Sequence, residues 1–425
     1  MREPLRFYLI TDLHYFENTL GASGEAYEAR SLTDQKCIAE TGAIIDSAFA
    51  QIMEDEQTNI ILIAGDMTFN GEAASHRWVI EKLEALRAAG KKIYMITGNH
   101  DGDNEPYAFS GAERFPVEET KRAELPALYY EYGLKDAIAT ESEQRCYVAQ
   151  LGEGVRLLGI NYFLGKDNTG LEDMLGWIAE QVADAKASGE LIFGMTHVPL
   201  LPGAPILAQV SDAKIHNWKE TATKLADMGL PLMFTGHMHM QSVNKLTTPG
   251  GNFIFDICTG SLVGGPCAIR KITIDDNWVM RITTSTVEDF DWDKKGMTAE
   301  EYFKWRFNRK IEHEIFSKIK NKTIENIMRG NALFPFGVEL ARNIFYGDQP
   351  YTKGTPEYAF VMKWLGRLRP AVRLIEKTYG RKLEMLRDIH ALASSLIGKE
   401  AKIDYNAVIC LKHGSVKPLQ KGQSQ

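Results

Sequence analysis

Five short stretches of this chain group residues suited to binding metal ions. They are Asp12-Leu13-His14, Gly65-Asp66, Gly98-Asn99-His100-Asp101, His197, and Gly236-His237-Met238-His239. Each follows an apolar run, and together they hold five of the ten histidines. Carboxylate, amide oxygen and imidazole are donors that borderline metals such as manganese, iron and zinc accept. A carboxylate can also bridge two ions and offset their repulsion. Two ions about 3.5–4 Å apart can hold the attacking and leaving oxygens of an in-line displacement. Taken singly the signals are weak. A D-x-H triplet is usually a turn beside a surface histidine, Gly-Asp after a strand is usually a turn or a helix cap, and Gly-Asn-His-Asp can be one turn. Their joint occurrence at the ends of successive apolar runs is what scattered placement does not produce.

The elements that position these residues read as strands and helices in alternation. Near-continuous apolar runs at 5–12, 60–66, 92–99, 155–161, 190–197 and 230–237 predict strands buried on both faces. Helical patterns at about 32–55, 76–89, 172–188 and 218–228 lie between them, several ending at a glycine such as Gly90, Gly189 or Gly229. This is an α/β arrangement. Ligands in such sheets bind beyond the carboxyl ends of the strands, where all five stretches fall. If the D-L-H and H-M-H triplets are extended, their first and third side chains share a side. The glycines before Asp66, Asn99 and His237 allow sharp exits from the strands.

Beyond 240 the pattern becomes a meander of strands at 253–262, 268–275 and 279–287, with Pro249-Gly250-Gly251 and Asp275-Asp276-Asn277 as turns. Near 290 it changes again. Thr298 with Glu301 three residues on predicts a capped helix, and helices broken by Gly and Pro follow to about 400. Phe303, Phe307, Ile311 and Ile315, spaced by four, offer an apolar stripe for docking. The polar tail from His413 reads as disordered. Residues 102–145 form an insertion expected to overhang the site and, with 200–217, to select the substrate.

The chain has 425 residues, 44% apolar and 25% charged, as in a soluble globular protein of one large or two ordinary domains. No stretch nears the roughly 18 apolar residues of a membrane span, and the N-terminus lacks a signal-peptide layout. Five scattered cysteines without a CxxC pair argue against a disulfide framework or a cysteine zinc site, and predict a cytoplasmic location. The net charge of −7 divides unevenly: residues 296–425 carry 23 Lys and Arg against 13 Asp and Glu, a balance of +10 beside −17 for the remainder. Complementary surfaces explain this most simply; an anionic partner for the basic part is the alternative.

In order, DLH, GD, GNHD, a strand-terminal His and GHMH resemble the motif set of the calcineurin-like metallophosphoesterases, over about residues 5–290. The resemblance implies a four-layer αββα sandwich over 1–292, with 293–425 as a helical C-terminal region it does not explain. It implies that Asp12, His14, Asp66 and His239 hold one metal ion. A second is held by Asp66 as bridge, Asn99, His197 and His237. His100 is expected to bind no metal but to stabilise the phosphoryl group or protonate the leaving alkoxide, with Asp101 orienting it. Purple acid phosphatases differ in having Tyr three residues after the bridging Asp and Gly in the first motif; here those places hold Phe69 and His14. No Arg stands beside GD or GNHD, unlike the serine/threonine phosphatases. The expected activity is hydrolysis of a small phosphomonoester or phosphodiester, nucleotides included, by a hydroxide held between the ions. DNA nucleases share the motifs, and the basic C-terminal region favours that alternative. The acidic catalytic part counts against it. A non-catalytic scaffold ranks last, since no ligand position is lost.

Overall fold

The computed structural model describes residues 2–419 except 142, 144–145, 162–169, 318, 320–321, 331–332, 348–353, 357, 361 and 364–403. Its strands are β1 (Leu5–Ile10), β2 (Ile60–Ala64), β3 (Lys92–Ile96), β4 (Tyr107–Ser110), β5 (Glu113–Pro116), β6 (Ala137–Thr140), β7 (Cys146–Gly152) and β8 (Val155–Ile160). There follow β9 (Leu191–Thr196), β10 (Leu232–Thr235), β11 (Ser242–Thr247), β12 (Phe253–Cys258), β13 (Ala268–Ile274), β14 (Val279–Thr286), β15 (Ala407–Cys410) and β16 (Ser415–Pro418). The helices are α1 (Glu25–Thr33), α2 (Thr41–Glu54), α3 (Ala73–Ala88), α4 (Leu125–Leu128), α5 (Gly170–Asp173), α6 (Leu175–Ala187), α7 (Trp218–Met228), α8 (Ala299–Phe316), α9 (Lys322–Arg329) and α10 (Leu333–Tyr346).

Two seven-stranded sheets form, in the orders β16-β15-β14-β13-β1-β2-β3 and β11-β12-β10-β9-β8-β7-β6. Strand alternation explains how they stack. Phe7 and Leu9 of β1 point to the core between the sheets, where Phe193 and Phe234 meet them from β9 and β10. Tyr8 and Ile10 point the other way, to a core with Ile45 and Phe49 of α2 and Leu83 of α3. On the far side, Ile178 and Val182 of α6 and Leu225 of α7 cover the second sheet. Helix, sheet, sheet, helix is the four-layer order expected.

β1, β2 and β3 run parallel in the first sheet, and β8, β9, β10 and β12 in the second. The carboxyl ends of β1, β2, β3, β9 and β10 lead into the five motif stretches. Four departures from the sequence reading stand out. The helix expected over 32–55 starts only at Thr41, as α2, after a separate helix α1 that ends at Thr33; between them the Asp34 carboxylate accepts the Lys36 N–H at 3.0 Å and competes with the helical pattern. The 102–145 insertion contributes β6 to the edge of the second sheet through its pairing with β7. β11, a strand the sequence reading did not name, pairs with β12 across the expected Pro249-Gly250-Gly251 turn. The tail from His413, expected disordered, supplies β16, which pairs with β15 in a hairpin that extends the first sheet beyond β14. Ala407, Ile409 and Leu411 bury their side chains between the sheets, a burial that local polarity of the following residues concealed.

Thr298 caps α8 as expected, its hydroxyl accepting from Glu301 N–H while Glu301 accepts from Thr298 N–H at 2.9 Å. Phe303 and Phe307 are buried, the first stacked on Phe290 and the second against Phe345 and Tyr346 of α10. Ile311 is half-buried, and the Ile315 side chain and the helices expected over 364–400 lie outside the described residues. The five cysteines are free, four of them buried. Among the described residues no helix is long and apolar enough to cross a membrane.

Candidate metal centre

Asp12, His14, Asp66, His237 and His239 all have left-handed backbone, with φ of 54°, 40°, 56°, 66° and 50°. Such conformations are costly for residues with a Cβ and cluster where function demands them. The D-L-H and H-M-H triplets are therefore not extended, contrary to the sequence reading. The left-handed turns direct the side chains inward from the sheet edge. Gly98 and Gly236 have ordinary backbone. What excludes a side chain there is space, since a Cβ on Gly98 would collide with Asp66 Oδ1 and one on Gly236 with Thr11 Oγ1.

The donor atoms gather into groups joined at Asp66. In the first, His239 Nε2 lies 3.2 Å from Asp12 Oδ1 and 2.9 Å from His14 Nε2. His14 Nε2 stands 3.4 Å from Asp12 Oδ1 and 3.5 Å from Asp66 Oδ2. In the second, His197 Nε2 is 3.1 Å from the same Asp66 Oδ2 and 3.1 Å from Asn99 Oδ1. Asn99 Oδ1 is in turn 2.8 Å from His237 Nδ1. All seven expected ligands thus converge, and His237 and His239 part to different groups.

These spacings suit metal ions. Donors bound to one ion at about 2.0–2.2 Å stand about 3.0–3.5 Å from one another. The outer atoms are also held for it. His14 Nδ1 faces Thr68 O at 3.3 Å and His197 Nδ1 faces Ala64 O at 2.7 Å. A proton on each Nδ1 satisfies those carbonyls and leaves the Nε2 lone pairs pointing into the site. Asp12 Oδ2 accepts from Thr11 Oγ1 at 2.7 Å and shares the His237 N–H, 2.9 Å from Oδ2 and 3.2 Å from Oδ1, while Oδ1 faces His14 and His239. Asp66 Oδ1 accepts from His100 N–H at 2.8 Å, which leaves Oδ2 between the two groups. The donor set fits two ions.

Electrostatics follow the same plan. Burial works against charge on Asp12, but the imidazoles of His239 and His14 prevail and hold it well below the usual carboxylate range. Asp66 shows the same balance, with burial overcome by His197 and His100. Burial disfavours the His197 cation, yet Asp66 lifts it to about 10. Burial lowers His14 and His237 to about 4, helped by the Lys36 charge at His14 and by His197 at His237.

His100 and Asp101 depart from expectation. Asp101 does not orient the His100 ring. Its Oδ1 accepts the N–H groups of Met67 and Thr68 at 2.7 and 3.0 Å, and its Oδ2 that of Gly98 at 2.7 Å. The carboxylate turns back to staple the ends of β2 and β3, because those backbone donors have no strand partner there. Burial and the Asp66 charge push it up to about 7. The ring of His100 instead meets Asn70 Oδ1, 3.2 Å from Nδ1. Asn70 Nδ2 donates to Asn104 O at 3.1 Å, which fixes the amide's orientation. A His100 nitrogen comes close to a His14 nitrogen and an Asp66 carboxylate oxygen, so this imidazole too borders the donor groups. Burial, then Lys36, hold its basicity well below the usual value. The 200–217 segment touches the site where Asp212 O meets His237 Nε2 at 3.0 Å, and the 102–145 insertion where Asn104 Nδ2 donates to Asn99 O at 2.7 Å. Sequence reading missed Asn70 and Lys36, for which no motif gave a signal.

A dimetal phosphatase from Danio rerio is similar in structure, with 14% identity and a TM-score of 0.49, over 68% of this chain and 98% of its own. A purple acid phosphatase from yellow lupin seeds shares 13% identity with a TM-score of 0.45, over 68% of this chain and 52% of its own. A putative 5'-nucleotidase from Staphylococcus aureus shares 12% with a TM-score of 0.39, over 73% and 58%. No curated protein matches the chain in sequence. The model of the calcineurin-like phosphoesterases matches residues 5–241, more than half of the chain. With all five motifs inside that span, the chain belongs to the calcineurin-like phosphoesterase family, and so to the metal-dependent hydrolases of phosphate esters.

Proposed function

We propose that this protein hydrolyses a small phosphomonoester or phosphodiester, nucleotides included, using two divalent ions of manganese, iron or zinc. The observation that carries the reading is Asp66 Oδ2 standing between His14 Nε2 at 3.5 Å and His197 Nε2 at 3.1 Å. Asp12, His14, Asp66 and His239 hold one ion, and Asp66, Asn99, His197 and His237 the other. When bound, the ions neutralise phosphoryl charge and supply activated water for attack at phosphorus.

The chain's own residues do the remaining work. Thr68 and Ala64 carbonyls keep two imidazoles in the ligating tautomer. His100 faces the phosphoryl group and is not a ligand. Its Nδ1–H donates to Asn70 Oδ1, which leaves Nε2 as the ring atom that takes up a second proton. A phosphoryl dianion beside the ring favours that cation, and Nε2 then passes its proton to the leaving alkoxide. Asp101 positions the Asn99-His100 turn through backbone donors.

The test is a panel of monoesters, cyclic and linear diesters and single-stranded DNA, with enzyme reconstituted in manganese or zinc. Turnover confined to small esters is expected. Preference for DNA would replace this reading with a nuclease, and no turnover with fully loaded metal would remove it.

A further inference from the structure

Lys36 is a charged residue that the reaction as described leaves unused. It lies in the 34–40 break between α1 and α2, and only 5% of its surface is exposed. Among the described residues its ammonium has no hydrogen bond or close ion pair. It sits over the ring of Phe69, 4.9 Å from the centroid. Phe69 is three residues beyond Asp66, and its ring packs against those of Phe16 and Tyr107. The residue preceding Lys36 ties the same segment to the centre, since Gln35 Nε2 donates to His239 O at 3.2 Å. The Lys36 charge is felt at the rings of both His100 and His14.

An unpaired buried ammonium is expensive. The carboxylates that feel its charge are Asp34, already engaged by Arg30 at 2.6 Å, and Glu72, which burial pushes up to about 7. Among the described residues neither closes an ion pair on the Lys36 ammonium. The segment is held from outside as well: Arg306 of α8 donates to Ser31 Oγ at 2.9 Å and to Lys36 O at 3.3 Å. A fixed, desolvated cation with no close ion pair, beside a centre built for phosphate, has the chemistry of a phosphoryl-binding group.

The geometry points to Lys36 as a substrate-binding residue that grips a non-bridging phosphoryl oxygen and favours the dianion of a phosphomonoester over a diester. This rests on the phosphoesterase reading above. A single positive charge stabilises a dianion about twice as strongly as a monoanion at the same distance, so the charge itself discriminates.

The experiment compares manganese-loaded wild type with Lys36→Met and Lys36→Arg. Inhibition by inorganic phosphate is measured, with hydrolysis of 4-nitrophenyl phosphate and bis(4-nitrophenyl) phosphate. For Lys36→Met, phosphate inhibition and monoester kcat/KM should weaken by about 10- to 100-fold, as for loss of a charged hydrogen bond, and the diester should lose less. Lys36→Arg should recover much of this. Metal content should hold, and the melting temperature should stay or rise, since the departing charge had no partner. A structural lysine would lower the melting temperature instead. Phosphate inhibition equal to wild type in Lys36→Met, or equal losses for monoester and diester, would overturn the proposal while leaving the phosphoesterase reading intact. Should Lys36→Met not fold, Lys36→Arg and Lys36→Gln carry the same comparison. A wild type that neither turns over esters nor binds phosphate overturns both together.

Discussion

Asn70 gives the His100 ring a partner that only accepts, because its own amide nitrogen is committed to Asn104 O. His100→Ala should therefore keep both metal ions and lose about 10²–10⁴-fold in turnover, the usual scale of general acid catalysis. Asn70→Ala should lose about 10- to 100-fold, since a hydrogen bond to a charged ring goes but the ring stays. Asp66→Ala should empty the site, as elemental analysis would show. If His100→Ala also emptied it, the ring would be a ligand and the role given to it wrong. A second outcome concerns protons. In the metal-free protein Asp66 raises His197 to about 10. A raised folded pKa means that this pairing contributes fully to stability below the ordinary value of 6.5 and loses its contribution as pH climbs through 10. A metal ion needs the Nε2 lone pair, so loading at pH 7 should release about one proton per chain from this residue. An indicator dye in weak buffer reads it, and no release would mean that His197 does not ligate through Nε2. The seven positions that the structure brings together at the strand ends were legible in sequence because few other roles explain carboxylate, amide and imidazole groups at consecutive strand ends. Asn70 and Lys36 were not, since one amide in a loop and one lysine in an apparent helix carry no pattern.

The strand-end turns are where local backbone and site chemistry meet. Asp101 satisfies three backbone N–H groups that the ends of β2 and β3 leave without strand partners. Asp101→Ala leaves buried donors unmade at about 1–3 kcal/mol each. It should lower stability by several times the cost of a surface change, and weaken metal binding because Asn99 rides on the same turn. Denaturant unfolding with metal present and absent separates the two effects. Unchanged stability would show that water replaces the carboxylate. Elements with a strong period were legible: the buried strands and the helices at 73–88, 175–187 and 218–228 stand close to where their apolar spacing put them. The break at 34–40 was not, because a short side-chain-to-backbone bond at Asp34 outweighs a helical pattern that continues through it. The triplet geometry failed for a related reason, since left-handed backbone at aspartate and histidine is imposed by surrounding structure and not by local preference.

At the scale of the whole molecule, the +10 C-terminal part meets the −17 remainder at several places among the described residues, and two of these attachments are extensive. One is α8, which buries Tyr302 and Phe303 against the outer core of the first sheet while Tyr302 donates to Glu40 and Arg306 holds the segment bearing Lys36. The other is the β15–β16 hairpin, paired to β14 from Val279↔Cys410 to Ile282↔Ala407. Residues 293–425 are therefore expected to act as a structural part of the catalytic unit and not as an independent nucleic-acid binder; Glu312, Glu314 and Glu325 interrupt their basic residues. Ending the chain at 292 would expose β14 as an edge and uncover Phe303's and Ile409's packing surfaces. A fully buried side chain of this size contributes about 1.5–3 kcal/mol, against a total stability of about 5–15 kcal/mol for a typical domain. The truncated protein should be insoluble or unfolded at 37 °C. Ile409→Ala in the full chain should cost about 2–5 kcal/mol in urea unfolding, with the metal stoichiometry unchanged, because Ile409 lies in the core between the sheets and not at the metal edge. A soluble 1–292 fragment as stable as the full chain would make the two parts separate domains. If the 293–425 fragment then bound DNA with a steep dependence on salt, the basic region would be a nucleic-acid module and the nuclease reading would take precedence.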